Sequence, residues 1–268
     1  AVGSVFKPVL AAAALEAGLQ PVFECTGAVI VDGQIFRCAG GVPHGQVDLA
    51  AALEKSCNGY FIRLGQQLGA EKLLDTAKAF GFGQSLPLAE GLAAEAGQLP
   101  TPQELAQSGQ LANFSFGQGS LLATPLQVAA LFNTIAADGV YRAPYVLQAT
   151  LDETTGQPME TLSHPRGRRV LPARSAALLR AMLVQVVQQG TAQDAAGLPG
   201  GAGGKTGTAQ TGQFTPEGTE RCNLWFAGFW PAEKPRYTIV VLQDGAVHTA
   251  YSGAAIFAQV CAALEAAG

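Results

Sequence analysis

Apolar residues fill every helical phase of one segment close to the start of the chain. Between Ser4 and Leu15, SVFKPVLAAAAL carries Val5, Phe6, Val9, Leu10, a run of alanines and Leu15. A helix that is apolar all round belongs in an interior. Further helices follow: VDLAAALEK from about Asp48, with Asp48 as N-cap, then Tyr60 to Leu68 and Glu71 to Phe80, stopped by Gly69 and Gly81. From Gly83 to Gly119 the periodicity fades and Pro87, Pro100 and Pro102 interrupt it, which predicts a long loop with at most short helices. In ATPLQVAALFNTIAADG, Thr124 as N-cap, Pro125 at the first position and Gln127 at the third form a capping box, and Gly139 ends the helix.

The second half changes period. A strand pair is predicted around Tyr145 to Leu151 with a turn at Thr155-Gly156, then an amphipathic helix from Pro172 to Gln189. KTGTAQ, LWFAGFW and RYTIVVLQ read as strands, and Ser252 to Ala266 as a closing helix. Helices clustered before a terminal run of hairpin-linked strands predict an α+β fold with an antiparallel sheet. The helical region covers about 42–139; the sheet-forming region covers about 203–268 and takes in the helix at 4–18.

Composition removes several function classes. The 268 residues are 48% hydrophobic and 13% charged with a net charge of -4, which offers no electrostatic footprint for nucleic acid. The basic cluster RGRR, Arg166 to Arg169, reads as a solvated turn. The longest apolar run, Pro8 to Leu19, is broken by Glu16 and falls short of the ~20 residues of a spanning helix. Cys25, Cys38, Cys57, Cys222 and Cys261 contain no CxxC pair, and His44, His164 and His248 are scattered, so the spacing predicts no metal site. Cys25 and Cys38 flank a hairpin, AVIVDGQIF, turning at Asp32-Gly33. That register sets Cys25 opposite Gly40 and Cys38 opposite Gly27, placing the cysteines for either a disulfide or two buried thiols.

The candidate chemistry begins with the lysine inside the apolar helix. Ser4 and Lys7 are three residues apart and so share a face, roughly 5–6 Å between Cβ atoms. Burial disfavours the ammonium, and a neutral lysine can take a proton from the hydroxyl beside it. An N-cap serine followed by an incidental lysine has the same spacing. GGAGGKTGTAQ invites a phosphate-loop reading, but the position six before the lysine is Pro199 and the downstream segment, TGTAQTGQF, looks like a strand. Lys205-Thr206-Gly207 instead suits a strand at a cleft edge: a cation, a hydroxyl for a carboxylate, and a glycine that allows close approach. Ser56-Cys57-Asn58 at a helix end adds a hydroxyl that relays a proton and an amide that bonds a peptide. The three motifs run in the order SxxK, SxN, KTG, the set found in penicillin-binding proteins and class A β-lactamases. They are separated by 52 residues from Ser4 to Ser56 and 149 from Ser56 to Lys205.

With these motifs and their flanks, GSVFKP, SFGQGSLLATPLQVAALFNTIAADG, KTGTAQ and WFAGFWP, the chain resembles the transpeptidase domain of penicillin-binding proteins over nearly its whole length. The resemblance implies an antiparallel central sheet with flanking helices and an all-helical subdomain. It implies that Ser4 attacks a D-Ala-D-Ala carbonyl with Lys7 as base, and that Ser56 passes a proton to the leaving group, tuned by Lys205. Asn58 would hold the substrate amide, while Thr206, Gly207 and Thr208 form the carboxylate-binding strand. Backbone N–H groups of Ser4 and Thr208 would hold the oxyanion. No cofactor is implied; the implied partners are peptidoglycan stem peptides and β-lactam antibiotics. The resemblance also implies a membrane-anchored full-length protein, working on the extracytoplasmic face in a cell-wall synthesis complex. A D,D-carboxypeptidase, a β-lactamase, a β-lactam sensor and a catalytically silent scaffold share the fold; no ExxLN-like deacylation loop lies between Asn58 and Lys205. Family members carry a helix and two sheet strands before the serine motif, whereas this chain begins three residues before Ser4, so it reads as an N-terminally truncated domain spanning 1–268.

Overall fold

The computed structural model describes residues 1–161, 166–247 and 249–267; His164 and His248 lie outside them. A 3-10 turn, Gly3–Phe6, leads into α1 (Lys7–Glu16). Four short strands follow, β1 (Phe23–Cys25), β2 (Ala28–Val31), β3 (Gln34–Arg37) and β4 (Gly45–Val47). Next come α2 (Leu49–Glu54), α3 (Asn58–Leu68), α4 (Ala70–Ala79), the hairpin β5 (Leu86–Ala89) and β6 (Leu92–Ala94), and α5 (Pro102–Leu105), α6 (Gln110–Ser115) and α7 (Pro125–Ala136). Strands β7 (Val140–Tyr141), β8 (Ala149–Leu151), β9 (Pro158–Thr161) and β10 (Arg168–Arg169) precede α8 (Ala173–Gln188). The chain then forms β11 (Gly203–Phe214), β12 (Glu220–Trp230), β13 (Tyr237–Ala246) and α9 (Gly253–Ala266).

The last three strands form an antiparallel sheet in the order β11-β12-β13, Lys205 facing Ala227 and Ala227 facing Val240 across it. Phe226 of β12 meets Phe257 of α9 at 4.8 Å between ring centroids. On the helical side, α1 is the buried axis: Lys7 through Ala14 are all out of solvent, as an all-round apolar sequence requires. The local signals act as read. Asp48 caps α2 through Ala51 N at 2.9 Å, and Thr124 and Gln127 cap each other at the head of α7. The Gln127 amide reaches further, donating to the carbonyls of Gly81, Gln84 and Ala96, so it ties α7 to the loop that the prolines keep irregular.

Several elements differ from the sequence reading. The first helix is tight at its head, and α geometry begins only at Lys7. The hairpin is confined to β2–β3, turning at Asp32-Gly33. Cys25 pairs with Gly45 of β4 and not with Gly40, because Gly27, at φ +89, breaks the strand where the Gly41 carbonyl crowds it. Cys25 and Cys38 are free thiols with sulfurs 3.7 Å apart, so no disulfide joins them. The strand predicted from Tyr145 begins only at Ala149. The long loop holds the β5–β6 hairpin as well as α5 and α6.

Candidate active site

Ser4 stands on the 3-10 turn, and backbone contacts hold that turn from two sides. Gly3, at φ +58, donates its N–H to Gly117 O at 2.9 Å. A Cβ on Gly3 would overlap the Thr208 carbonyl, and one on Gly117 would overlap Gly3 O. A Cβ on Gly207 would fall 2.8 Å from Val2 O and 3.0 Å from Val5 N. Thus β11 and the α6–α7 loop can both touch the serine turn only because glycine stands at each contact. Between Ser4 and Lys7, Phe6 is fully buried against Phe82 and Phe114, with centroids 5.4 and 5.0 Å away. Burying such a ring contributes about 1.5–3 kcal/mol, which anchors the serine turn to the helical layer.

Lys7 points from this turn into the SxN link between α2 and α3. Its Nζ donates to Asn58 Oδ1 at 2.7 Å, Ser56 O at 2.7 Å and Ser56 Oγ at 3.1 Å. Ser56 adopts φ +54, a left-handed conformation uncommon outside glycine, which turns its carbonyl onto the lysine. Asn58 is fixed at both ends, since its Nδ2 donates to Arg37 O of β3 at 2.9 Å. Lys7 is wholly buried, and desolvation pulls its pKa down to about 7, against the opposing pull of the Cys57 and Cys38 thiols. A large fraction of neutral amine is therefore available near neutral pH.

Lys205 is the second fully buried lysine. Desolvation, and then the charge of Lys7, hold its pKa well below the ordinary lysine value. Its Nζ donates to Thr206 O at 3.1 Å and Thr206 Oγ1 at 3.5 Å; among the described residues it makes no hydrogen bond to Ser56. A cleft of about 610 Å³ opens over the site, and Ser4, Ser56, Asn58, Thr206, Gly207 and Thr208 all line it. The sequence-predicted residues therefore share one site, Lys7 and Lys205 being buried beneath its wall.

Two lining residues carry no signal of their own in the sequence. Thr191 Oγ1 shares a hydrogen bond with Thr206 Oγ1 at 2.8 Å, extending the hydroxyl row from a loop after α8 that has no periodic pattern. Gln118 Nε2 reaches Thr208 O at 3.5 Å from inside the SFGQG flank, where the motif is visible and the contact is not. The spacing rule, which predicts no metal site, also misses a convergence beside the cleft: Cys25 and Cys38, read as neighbours across a hairpin, are joined by Cys57 and His44, and the four ligand atoms lie within 4.8 Å of one another.

A serine and a buried lysine on one turn, a hydroxyl and an amide on that lysine, and a Lys-Thr-Gly strand along the cleft define a serine acyl-transfer site. The chain belongs to the penicillin-binding protein transpeptidase domain family, which it matches over residues 1–263. It is 31% identical to stage V sporulation protein D of Bacillus subtilis over 262 residues, covering 96% of this chain and 40% of that protein. It is 33% identical to the peptidoglycan D,D-transpeptidase PbpA of Mycolicibacterium smegmatis, covering 96% of this chain and 52% of that protein. The imipenem acyl-enzyme complex of penicillin-binding protein A from M. tuberculosis superposes with a TM-score of 0.85 at 28% identity, over 99% of this chain and 59% of that one. The chain thus spans about half the length of the relatives it matches. No helix among the described residues is long and apolar enough to cross a membrane.

Proposed function

We propose that the chain is the catalytic domain of a peptidoglycan D,D-transpeptidase, acylated on Ser4 by D-Ala-D-Ala stem peptides and by β-lactams. The observation that carries this reading is Lys7: buried, on the nucleophile's own turn, and held at 2.7 Å by Asn58 and by Ser56 O. Ser4 Oγ attacks the carbonyl while its proton passes to neutral Lys7. Backbone N–H groups of Ser4 and Thr208 receive the developing oxyanion, a kind of contact worth about 3–4 kcal/mol. The C–N bond to the terminal D-alanine breaks as Ser56 delivers a proton to that amine and is reprotonated by the Lys7 ammonium 3.1 Å away; an acceptor amine then attacks the ester, passing its proton back along this path as Ser4 Oγ leaves and is reprotonated. Lys205 tunes Ser56 by its charge and, bonded to Thr206, favours the substrate carboxylate that Thr206 and Thr208 bind. Asn58 keeps one lone pair and one N–H for the substrate amide. The full-length protein is a membrane-anchored member of a cell-wall synthesis complex on the extracytoplasmic face, where its polymer lies.

Intact mass after incubation with penicillin tests the reading. One adduct on Ser4, persisting for many minutes and absent in a folded Ser4→Ala variant, is the expected result. Unchanged mass in excess drug overturns acyl transfer, and rapid turnover of the drug favours a β-lactamase.

A further inference from the structure

Three thiols and an imidazole converge directly behind the SxN link, and the reaction uses none of them. Cys25 ends β1, Cys38 follows β3, His44 precedes β4, and Cys57 is the central residue of Ser56-Cys57-Asn58. Cys25, Cys38 and Cys57 are buried. The Cys25–Cys38 sulfur separation is 3.7 Å, that of Cys38–Cys57 is 3.9 Å, and Cys25 Sγ lies 3.4 Å from His44 Nδ1. Four ligands at tetrahedral angles around zinc, with Zn–S about 2.3 Å and Zn–N about 2.0–2.1 Å, stand about 3.8 Å apart for sulfur pairs and about 3.6 Å for sulfur and nitrogen. These three edges match that polyhedron, and the other three pairs lie within 4.8 Å. The sulfur separations do not match a disulfide, whose sulfurs lie about 2.05 Å apart.

We propose that Cys25, Cys38, Cys57 and His44 form a structural zinc site that clamps the Ser56–Asn58 link to the β1–β4 segment. The surroundings suit bound thiolates. The Tyr60 N–H donates to Cys57 Sγ at 3.4 Å, and the Asn58 and Gly59 N–H groups are directed at Cys38, so the first turn of α3 supplies hydrogen bonds to two sulfurs. The segment also needs a fastener. The β2–β3 hairpin leaves Ile30 69% and Ile35 53% exposed, and its satellite cluster has only Val31, Ile62 and Ala112 buried. Cys25, Cys38 and Cys57 belong to the main core, so a metal bound there would tie this thinly packed hairpin to it. Binding breaks up to three S–H bonds and forms three Zn–S bonds and one Zn–N bond. The protons leave to solvent and zinc stays divalent, so no oxidant is required. The clamp acts as a positioning device: Cys57 cannot shift without moving Ser56 and Asn58, the residues that hold Lys7.

Elemental analysis of the chain, purified without chelator from zinc-supplemented medium, is expected to find one zinc per chain. Cobalt exchange is expected to give a thiolate-to-cobalt charge-transfer band with tetrahedral d–d bands. Cys38→Ser and His44→Ala are expected to weaken zinc retention against a colorimetric chelator by more than the roughly 10–100-fold that loss of an outer-shell partner costs. If those variants fail to fold, chelator competition on the unaltered chain gives its affinity directly. A zinc-free chain with reduced thiols, a cobalt form without the charge-transfer band, or a Cys25–Cys38 disulfide in the purified protein overturns the site. The clamp rests on the acyl-transfer reading and is measured separately, as penicillin acylation of the zinc-depleted chain: a roughly tenfold loss is expected. A chain that loses zinc while keeping fold and acylation rate overturns it; the metal content and cobalt spectrum need no acylation to be read.

Discussion

Replacing Gly207 by alanine should slow acylation far more than it destabilises the protein. The new methyl group would sit 2.8 Å from Val2 O and 3.0 Å from both Val5 N and Val5 Cγ1. Two of these atoms are backbone and cannot rotate away. Ordinary contact begins at 3.4 Å, so β11 and the serine turn must separate by about 0.6 Å. Misplacing reacting groups by 1 Å costs on the order of 100-fold in rate. Scaled logarithmically, 0.6 Å corresponds to roughly fifteen-fold, because the shift lengthens the distance between Ser4 and the Thr206–Thr208 strand directly. Overpacking at one site costs typically about 1–3 kcal/mol, which leaves most of a domain's stability of about 5–15 kcal/mol intact. The assay is the second-order rate constant for labelling by a fluorescent penicillin, read beside a thermal melt. A Gly207→Ala protein that labels at the unaltered rate would refute the idea that contact between β11 and the serine turn sets the reaction geometry.

Labelling should also rise with pH: Lys7 must be neutral to accept the Ser4 proton and its pKa is lowered to about 7, so the rate climbs through that value and levels off above it. The same shift has a signed effect on folding: between about 7 and the ordinary lysine value the unfolded chain binds more protons, so this lysine's contribution to stability rises with pH in that window. Lys7→Ala should remove most labelling, whereas Lys205→Ala should raise the drug concentration needed for half-maximal rate more than it lowers the limiting rate; equal changes in both parameters for both variants would contradict the division of roles. Gly65→Ala should lower the melting temperature, because its Cβ would overlap Ser115 Oγ where α3 meets α6, at a cost of about 1–3 kcal/mol; an unchanged melt would show that the two helices part freely.

The chemistry was legible where a motif is short and local. SxxK fits on one turn, so Ser4 and Lys7 declared themselves through spacing and through a charge set among apolar neighbours. The α7 capping box was visible for the same reason: Thr124 and Gln127 satisfy each other within four residues. What stayed hidden depends on contacts between distant segments. The KTG motif marks Gly207 for a close approach, but nothing near Gly3 or Gly117 announces that it is the serine turn they and Gly207 share. Thr191 reaches Thr206 only after α8 has returned along the sheet. Cys25, Cys38, His44 and Cys57 lie 13, 6 and 13 residues apart on four stretches of chain, so a rule built on CxxC pairs is blind to them. The boundary of β8 was misplaced because apolar residues from Tyr145 onward suggest strand, whereas β9 meets the chain from Ala149 and Val146 instead donates its N–H to Leu88 O of β5.

The glycine contacts around Ser4 also limit how such a protein could escape a drug. At Gly3, Gly117 and Gly207 every substitution adds a Cβ that strikes backbone, so under the proposed function a mutation there would injure acylation by a stem peptide along with acylation by a β-lactam. Selection for resistance would find these positions closed. Under the proposed function, variants that discriminate between two acyl donors would have to arise instead from side chains that line the cleft, such as Ile35, Phe116 and Gln210.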